Sequence, residues 1–187
     1  MRNRRGRTMK KALLMQGVSG SGKSTFVKGL VDNHRQGNHA ASCVVCSADD
    51  YFGEDYAFDP AKLGEVHAAC LKKFVGGVMA GVELVIVDNT NCSTIELAPY
   101  VSLAQAFGYE VEIVRIARDL SDALDRAGNG PHHTPAKAVQ GQWRALKNFD
   151  PPPWWPKARV VHLGCVYCGS LAPLEGENWE CPDCGGV

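Results

Sequence analysis

The run Gly17-Val18-Ser19-Gly20-Ser21-Gly22-Lys23-Ser24-Thr25 restricts what this chain can fold into more than any other part of it. It follows the apolar stretch Ala12-Leu13-Leu14-Met15 and precedes Phe26, Val27, Leu30 and Val31, which recur at helical spacing. The pattern GxxxxGK[ST] therefore stands between a strand and a helix, the context in which such a loop cradles phosphates. Glycines let successive backbone N–H groups converge on an anion, and the positive end of the following helix adds to the field. The predicted nucleotide-binding set is Gly17, Ser19, Gly20, Ser21, Gly22, Lys23, Ser24 and Thr25. Lys23 is expected to reach the β- and γ-phosphates of ATP, and Ser24 to ligate Mg²⁺.

A length of 187 residues suits one α/β domain with a small appendage. Lys plus Arg and Asp plus Glu balance at 20 each, so net charge gives no case for nucleic acid. Residues 1–11 carry only basic charge, as a phosphate-tracking tail or a disordered, solubilising start. No apolar run approaches the roughly 20 residues that span a bilayer, and no signal-peptide core follows the basic start. The expectation is a cytoplasmic protein with no membrane partner and with reduced cysteines.

Ser42 to Cys46 reads as a buried strand that ends on Ser47-Ala48-Asp49-Asp50-Tyr51. Side chains at the carboxyl end of a parallel strand face the ligand crevice, so Asp49 and Asp50 fall near the phosphates. Cys43 and Cys46 stand at an odd offset on this strand and read as core, not metal ligands. Asp59-Pro60 reads as a helix cap followed by proline. Leu63, Val66, His67, Cys70, Leu71, Phe74, Val75 and Val78 then continue at helical spacing. His67 on that stripe reads as a hydrogen-bonded core histidine, with contact to substrate as the alternative.

Residues 83–87 form a third strand ending in Asp88-Asn89-Thr90-Asn91, where an aspartate beside a P-loop strand holds or orients the metal. Ser93 with Glu96 makes a capping box, and Leu97, Tyr100, Val101, Ala104 and Phe107 define the next helix face. Residues 110–116 give a fourth strand and 120–126 a short helix. A glycine-rich loop over 127–133 follows, and Thr134-Pro135 opens a helix to about 147 with Val139, Trp143 and Leu146 inward. Helix, glycine-rich loop and helix make a lid. Arg126 is the candidate for neutralising transition-state charge, with Arg118 its competitor.

Residues 151–156, Pro-Pro-Pro-Trp-Trp-Pro, are a stiff linker, and 158–163 a last strand. Cys165-x2-Cys168 and Cys181-x2-Cys184 supply four thiolates suited to structural Zn²⁺, with iron as the competitor. The expected fold class is α/β, a P-loop kinase fold with a parallel sheet of four or five strands flanked by helices, plus a zinc ribbon. The domains are a basic tail at 1–11, a kinase domain at 12–150, a linker at 151–163 and the ribbon at 164–187. Asp49 is the expected base for an incoming hydroxyl, with Lys23, Mg²⁺ and a lid arginine holding the γ-phosphoryl group.

The strings at 47–52 and 56–63, Val87-Asp88-Asn89-Thr90-Asn91 and Gly108-Tyr109-Glu110-Val111 resemble the polynucleotide kinase group of P-loop kinases. The bacteriophage 5′-hydroxyl polynucleotide kinases and the kinase domain of eukaryotic NEDD-four-binding proteins are the patterns matched, over about residues 12–147. The resemblance implies Asp49 as general base, Asp88 as the aspartate of the DTN string and Arg126 as the lid arginine. Asp50, Asn89, Asn91 and His67 are the expected substrate contacts. The expected reaction is transfer of the ATP γ-phosphoryl group to a hydroxyl on DNA or RNA, at a 5′ end. Two positions depart from the phage pattern: Phe52 stands where an arginine grips substrate phosphate, and the lid is less basic. The alternatives are kinases of hydroxymethylated pyrimidines in DNA, a nucleoside or metabolite kinase, and a non-catalytic nucleotide-sensing module.

Overall fold

A computed structural model describes residues 9–36, 43–52, 59–130, 132–163 and 173–174. The P-loop strand β1 (Lys11–Gln16) lies inside the sheet because its apolar run is covered on both faces. The remaining elements are α1 (Lys23–Gln36), β2 (Cys43–Cys46), α2 (Leu63–Ala80), β3 (Leu84–Val87), α3 (Thr94–Ala106), β4 (Glu110–Ala117), α4 (Leu120–Asn129), α5 (Ala136–Lys147), β5 (Arg159–Leu163) and β6 (Pro173–Leu174). The sheet runs β2-β3-β1-β4-β5-β6. Its first five strands are parallel, and β6 pairs antiparallel with β5. β1 is paired on both sides, Leu13 opposite Ile86 of β3 and Glu112 of β4.

Alternation along β1 divides the core. Ala12 and Leu14 face Cys70, Phe74, Leu97 and Val101 of α2 and α3, whereas Leu13 and Met15 face Val27 of α1. The two strand cysteines divide likewise, Cys46 joining the first cluster and Cys43 packing against the second. A third cluster joins Val18 of the P-loop to Ala123 and Ala127 of α4 and Val139 of α5, with Trp143 and Leu146 against it. That cluster seats the two lid helices on the loop.

Local signals hold at Ser93, where both halves of the capping box form. They shift elsewhere. Asp59 Oδ1 accepts from Ala61 N at 2.9 Å, capping a short 3₁₀ turn (Pro60–Lys62), and α2 proper begins at Leu63. Pro135 is the residue before α5 and provides no side-chain cap, so the expected Thr134 cap is displaced by one position. α4 runs past the expected end at Arg126 to Asn129, because Ala127 is buried against the P-loop and continues the helix. Phe107, expected inward, ends α3 at 43% exposure. In the linker Trp155 packs on the first core cluster and Trp154 stays exposed. The four ribbon cysteines, the tail at 1–8 and the string at 53–58 lie outside the described residues. Among the described residues no helix is long and apolar enough to cross a membrane.

Candidate active site

The P-loop connects β1 to α1 with Gly17, Gly20 and Gly22 all at positive φ. Gly20 has φ +78°, and a Cβ there would stand 2.5 Å from the Ala123 carbonyl and 2.8 Å from the Ala127 amide of α4. Only glycine allows both the turn and this close approach of the lid helix. Gly17 N donates to the Thr90 carbonyl at 2.9 Å, tying the loop to the end of β3.

Lys23 is buried, and its Nζ donates to the Val18 carbonyl at 2.9 Å within the same loop. Burial lowers its pKa, while the charges of Asp88 and Asp49 oppose that shift. Cys92 is itself buried, which pushes its thiol up to about 12, so it stands beside the ammonium as a neutral group. Asp88 is 9% exposed, and burial raises its carboxyl; the Ser24 hydroxyl and Lys23 pull the other way. Its Oδ1 is buried with no partner among the described residues, as is Ser21 Oγ. A hydroxyl beside an orphaned carboxylate oxygen is the hard-oxygen donor set Mg²⁺ takes, with phosphates completing its shell. Ser24 and Asp88 thus fit the ion. Among the described residues no cluster of three or more His, Cys, Asp or Glu could hold a metal. Ser24 and Thr25 are exposed at the first turn of α1.

The facing wall begins where β2 and β3 end together. Asp88 N donates to the Cys46 carbonyl at 2.9 Å, Ser47 Oγ donates to the Asp88 carbonyl at 3.1 Å, and Ala48 N donates to Asn89 Oδ1 at 2.9 Å. These bonds set the 3₁₀ turn Asp49–Tyr51, whose first amide donates to Ser47 Oγ at 3.3 Å. Asp49 comes out half exposed beside the lid, its Oδ2 3.7 Å from His132 Nε2. Asp50 pairs with Lys73 of α2 at 3.0 Å.

The four expected substrate contacts separate into two kinds. Asn89 is buried, its amide donating to Cys70 Sγ at 3.4 Å while its oxygen holds the Asp49 turn. Asn91 is also buried and at positive φ, its amide donating to the Met15 carbonyl at 2.7 Å and its carbonyl accepting from Gln16 Nε2 at 3.0 Å. Both amides brace the scaffold behind the site. Asp50 and His67 are exposed. The core-histidine expectation for His67 is corrected: the residue turns outward on α2 and lines a groove of about 360 Å³ with Leu71, Asn91, Ile95 and Tyr100. Cys70 and Phe74 take the inner positions of that helix.

Of the two lid arginines, Arg118 touches the P-loop. Its Nε donates to the Ser21 carbonyl at 3.1 Å, it also binds Asp122, and its side chain is 6% exposed. Arg126 is 47% exposed and shares Asp122, Nε to Oδ1 at 2.9 Å. Asp122 therefore couples an arginine that braces the loop to one that is half exposed.

Three positions escaped the sequence reading. Gln142 of α5 accepts the Ser19 amide at 2.8 Å, a lid side chain on a P-loop donor. Gln16 is wholly buried and accepts from Arg115 Nε at 2.6 Å, while Arg115 lies over Phe149. His132 meets Asp49. Each joins residues far apart in the chain, and no local pattern marks them.

A parallel sheet with a P-loop after β1, an acidic β3 terminus and a helical lid defines the P-loop kinase-like class of α/β proteins. Residues 13–152 match the model of the AAA_33 family, described as an AAA domain, and the chain belongs to that family. Human NEDD4-binding protein 2 is 35% identical over 101 residues, 53% of this chain and 5% of that protein. A solved Pnkp1/Rnl/Hen1 RNA repair complex matches with TM-score 0.61 at 19% identity, over 77% of this chain and 47% of that one. The APS kinase CysC of Mycobacterium tuberculosis, in complex with AMPPNP and APS, matches with TM-score 0.53 at 21% identity over 83% and 90%. This chain thus spans less than half the length of the first two.

Proposed function

We propose that the chain is an ATP-dependent kinase that transfers the γ-phosphoryl group to a hydroxyl on nucleic acid, at a 5′ end. The observation that carries this reading is Asp49: a carboxylate held at the end of β2, its charge felt by Lys23 and Asp88, facing the lid. The P-loop amides and Lys23 bind and orient the donor's phosphates, while Asp49 accepts the acceptor's proton as its oxygen attacks. Mg²⁺, held by Ser24 and Asp88, would neutralise charge on the β- and γ-oxygens. Arg126 swings from Asp122 towards the transferring group, and Arg118 keeps the loop in place. Asp50 and His67 are exposed, and on this reading they contact the acceptor.

The nucleic-acid substrate class draws support from two similarities, the stretch shared with NEDD4-binding protein 2 and the fold shared with the RNA repair complex. The fold shared with APS kinase and a gluconokinase from Sinorhizobium meliloti supports a small-molecule acceptor as the second reading. Transfer of labelled γ-phosphate to 5′-hydroxyl DNA and RNA, to hydroxymethyl-base oligonucleotides and to monomers separates them. Label on 5′-hydroxyl polymer is the expected result. Label only on monomers overturns the polymer reading, and ATP binding without transfer favours a nucleotide sensor.

Cys165, Cys168, Cys181 and Cys184 are proposed to hold Zn²⁺ in a ribbon that grips the polymer. On that reading chelation, or Cys181→Ser, weakens oligonucleotide binding before ATP binding.

A further inference from the structure

We propose that His132 receives the proton that Asp49 takes from the acceptor, and discharges it to solvent. The inference rests on Asp49 acting as base. Asp49 lies on the wall formed by β2 and β3, and His132 on the turn between α4 and α5. They meet across the cleft at 3.7 Å, Asp49 Oδ2 to His132 Nε2.

The turn is built to hold the histidine there. His133 N donates to the Gly130 carbonyl at 3.1 Å and Thr134 N to the Ala127 carbonyl at 2.9 Å, closing the chain after α4. His133 is at positive φ, and its Nδ1 contacts the Gly128 carbonyl at 3.0 Å, so that ring stays on its own turn. His132 is the histidine placed opposite the carboxylate. A separation of 3.7 Å is slightly beyond hydrogen-bond length, as is usual for catalytic pairs before substrate closes the site.

Stability does not account for the pairing. Side-chain exposure is 40% for His132 and 50% for Asp49, and pairs this open add little to a fold. The same exposure is what proton discharge requires. As the acceptor oxygen bonds to the γ-phosphorus, its O–H bond breaks and the proton goes to Asp49. The bond from phosphorus to the ADP oxygen breaks, and ADP leaves with that electron pair. Protonated Asp49 passes its proton to neutral Nε2 of His132, and the imidazolium releases it to water, restoring both groups. A histidine can run this cycle at neutral pH, where lysine and arginine stay charged. His132 acts through Asp49 and is a positioning and relay residue.

The test uses the full chain with His132→Ala and His132→Gln. ADP release is followed with 5′-hydroxyl oligonucleotide and, separately, with water as the only acceptor. Both variants should keep ATP affinity and melting temperature while kcat falls about tenfold. Added imidazole should restore His132→Ala in a concentration-dependent way, and should do nothing for His132→Ala/Asp49→Asn. A kcat close to wild type, or a loss that imidazole leaves untouched, overturns the relay. Wild-type turnover of water but of no oligonucleotide overturns the polymer reading alone, and the relay is then read in the water reaction. A wild-type chain that releases no ADP with either acceptor overturns both.

Discussion

The two walls of the cleft are built differently. On the donor wall Lys23 and Asp88 are buried, Gly17 is tied to Thr90, and Gly20 is locked under α4. On the wall proposed to meet the acceptor, Asp49, Asp50, Tyr51 and His67 are exposed, and a turn and a helix face carry them. Burial makes the donor side costly to ionise and ready for one kind of ligand, a chelated polyphosphate. Openness leaves the other side room for a large molecule, as the proposed reaction on a polymer needs. The cofactor is therefore written in the packing, and the acceptor is not.

The largest effect should come from the buried wall. Lys23→Met should lower phosphoryl transfer about a thousandfold, measured as initial rate at saturating acceptor. A modest loss would mean that the lysine is not on the donor's phosphates. In the wild type, Mg·ATP at a hundredfold its Kd should stabilise the fold by about 2.7 kcal/mol in denaturant titrations. Lys23→Met should lose most of that gain. Gly20→Ala should cost about 1–3 kcal/mol, since its Cβ would collide with the Ala123 carbonyl. A neutral result there would mean that α4 is free to back away from the loop. Least affected should be Lys73→Ala, which removes an exposed pair with Asp50 and should cost under about 1 kcal/mol. A larger loss would show that the acceptor wall is as tightly determined as the donor wall.

The same contrast explains what could be read from the chain. β1, the P-loop and the Ser93 cap announce themselves because each is a local pattern of glycine spacing, apolar run or hydroxyl and glutamate. The placement of Asp49 and Asp88 just beyond β2 and β3 is legible because both strands end where their apolar runs stop. His67 misled because period alone cannot distinguish the edge of an apolar stripe from its centre; Cys70 and Phe74 hold the centre. α4 outran its expected end because Ala127 finds its partner in the P-loop, more than a hundred residues earlier. The Gln142 bond to Ser19 and the His132 approach to Asp49 are products of how α4 and α5 dock, and docking has no signature in a single segment.

The most direct measurement is ATP affinity and phosphoryl transfer side by side in Asp49→Asn. The expected result is an unchanged dissociation constant for ATP and a transfer rate down by about a hundredfold or more. Transfer at the wild-type rate, with ATP bound as before, would contradict it.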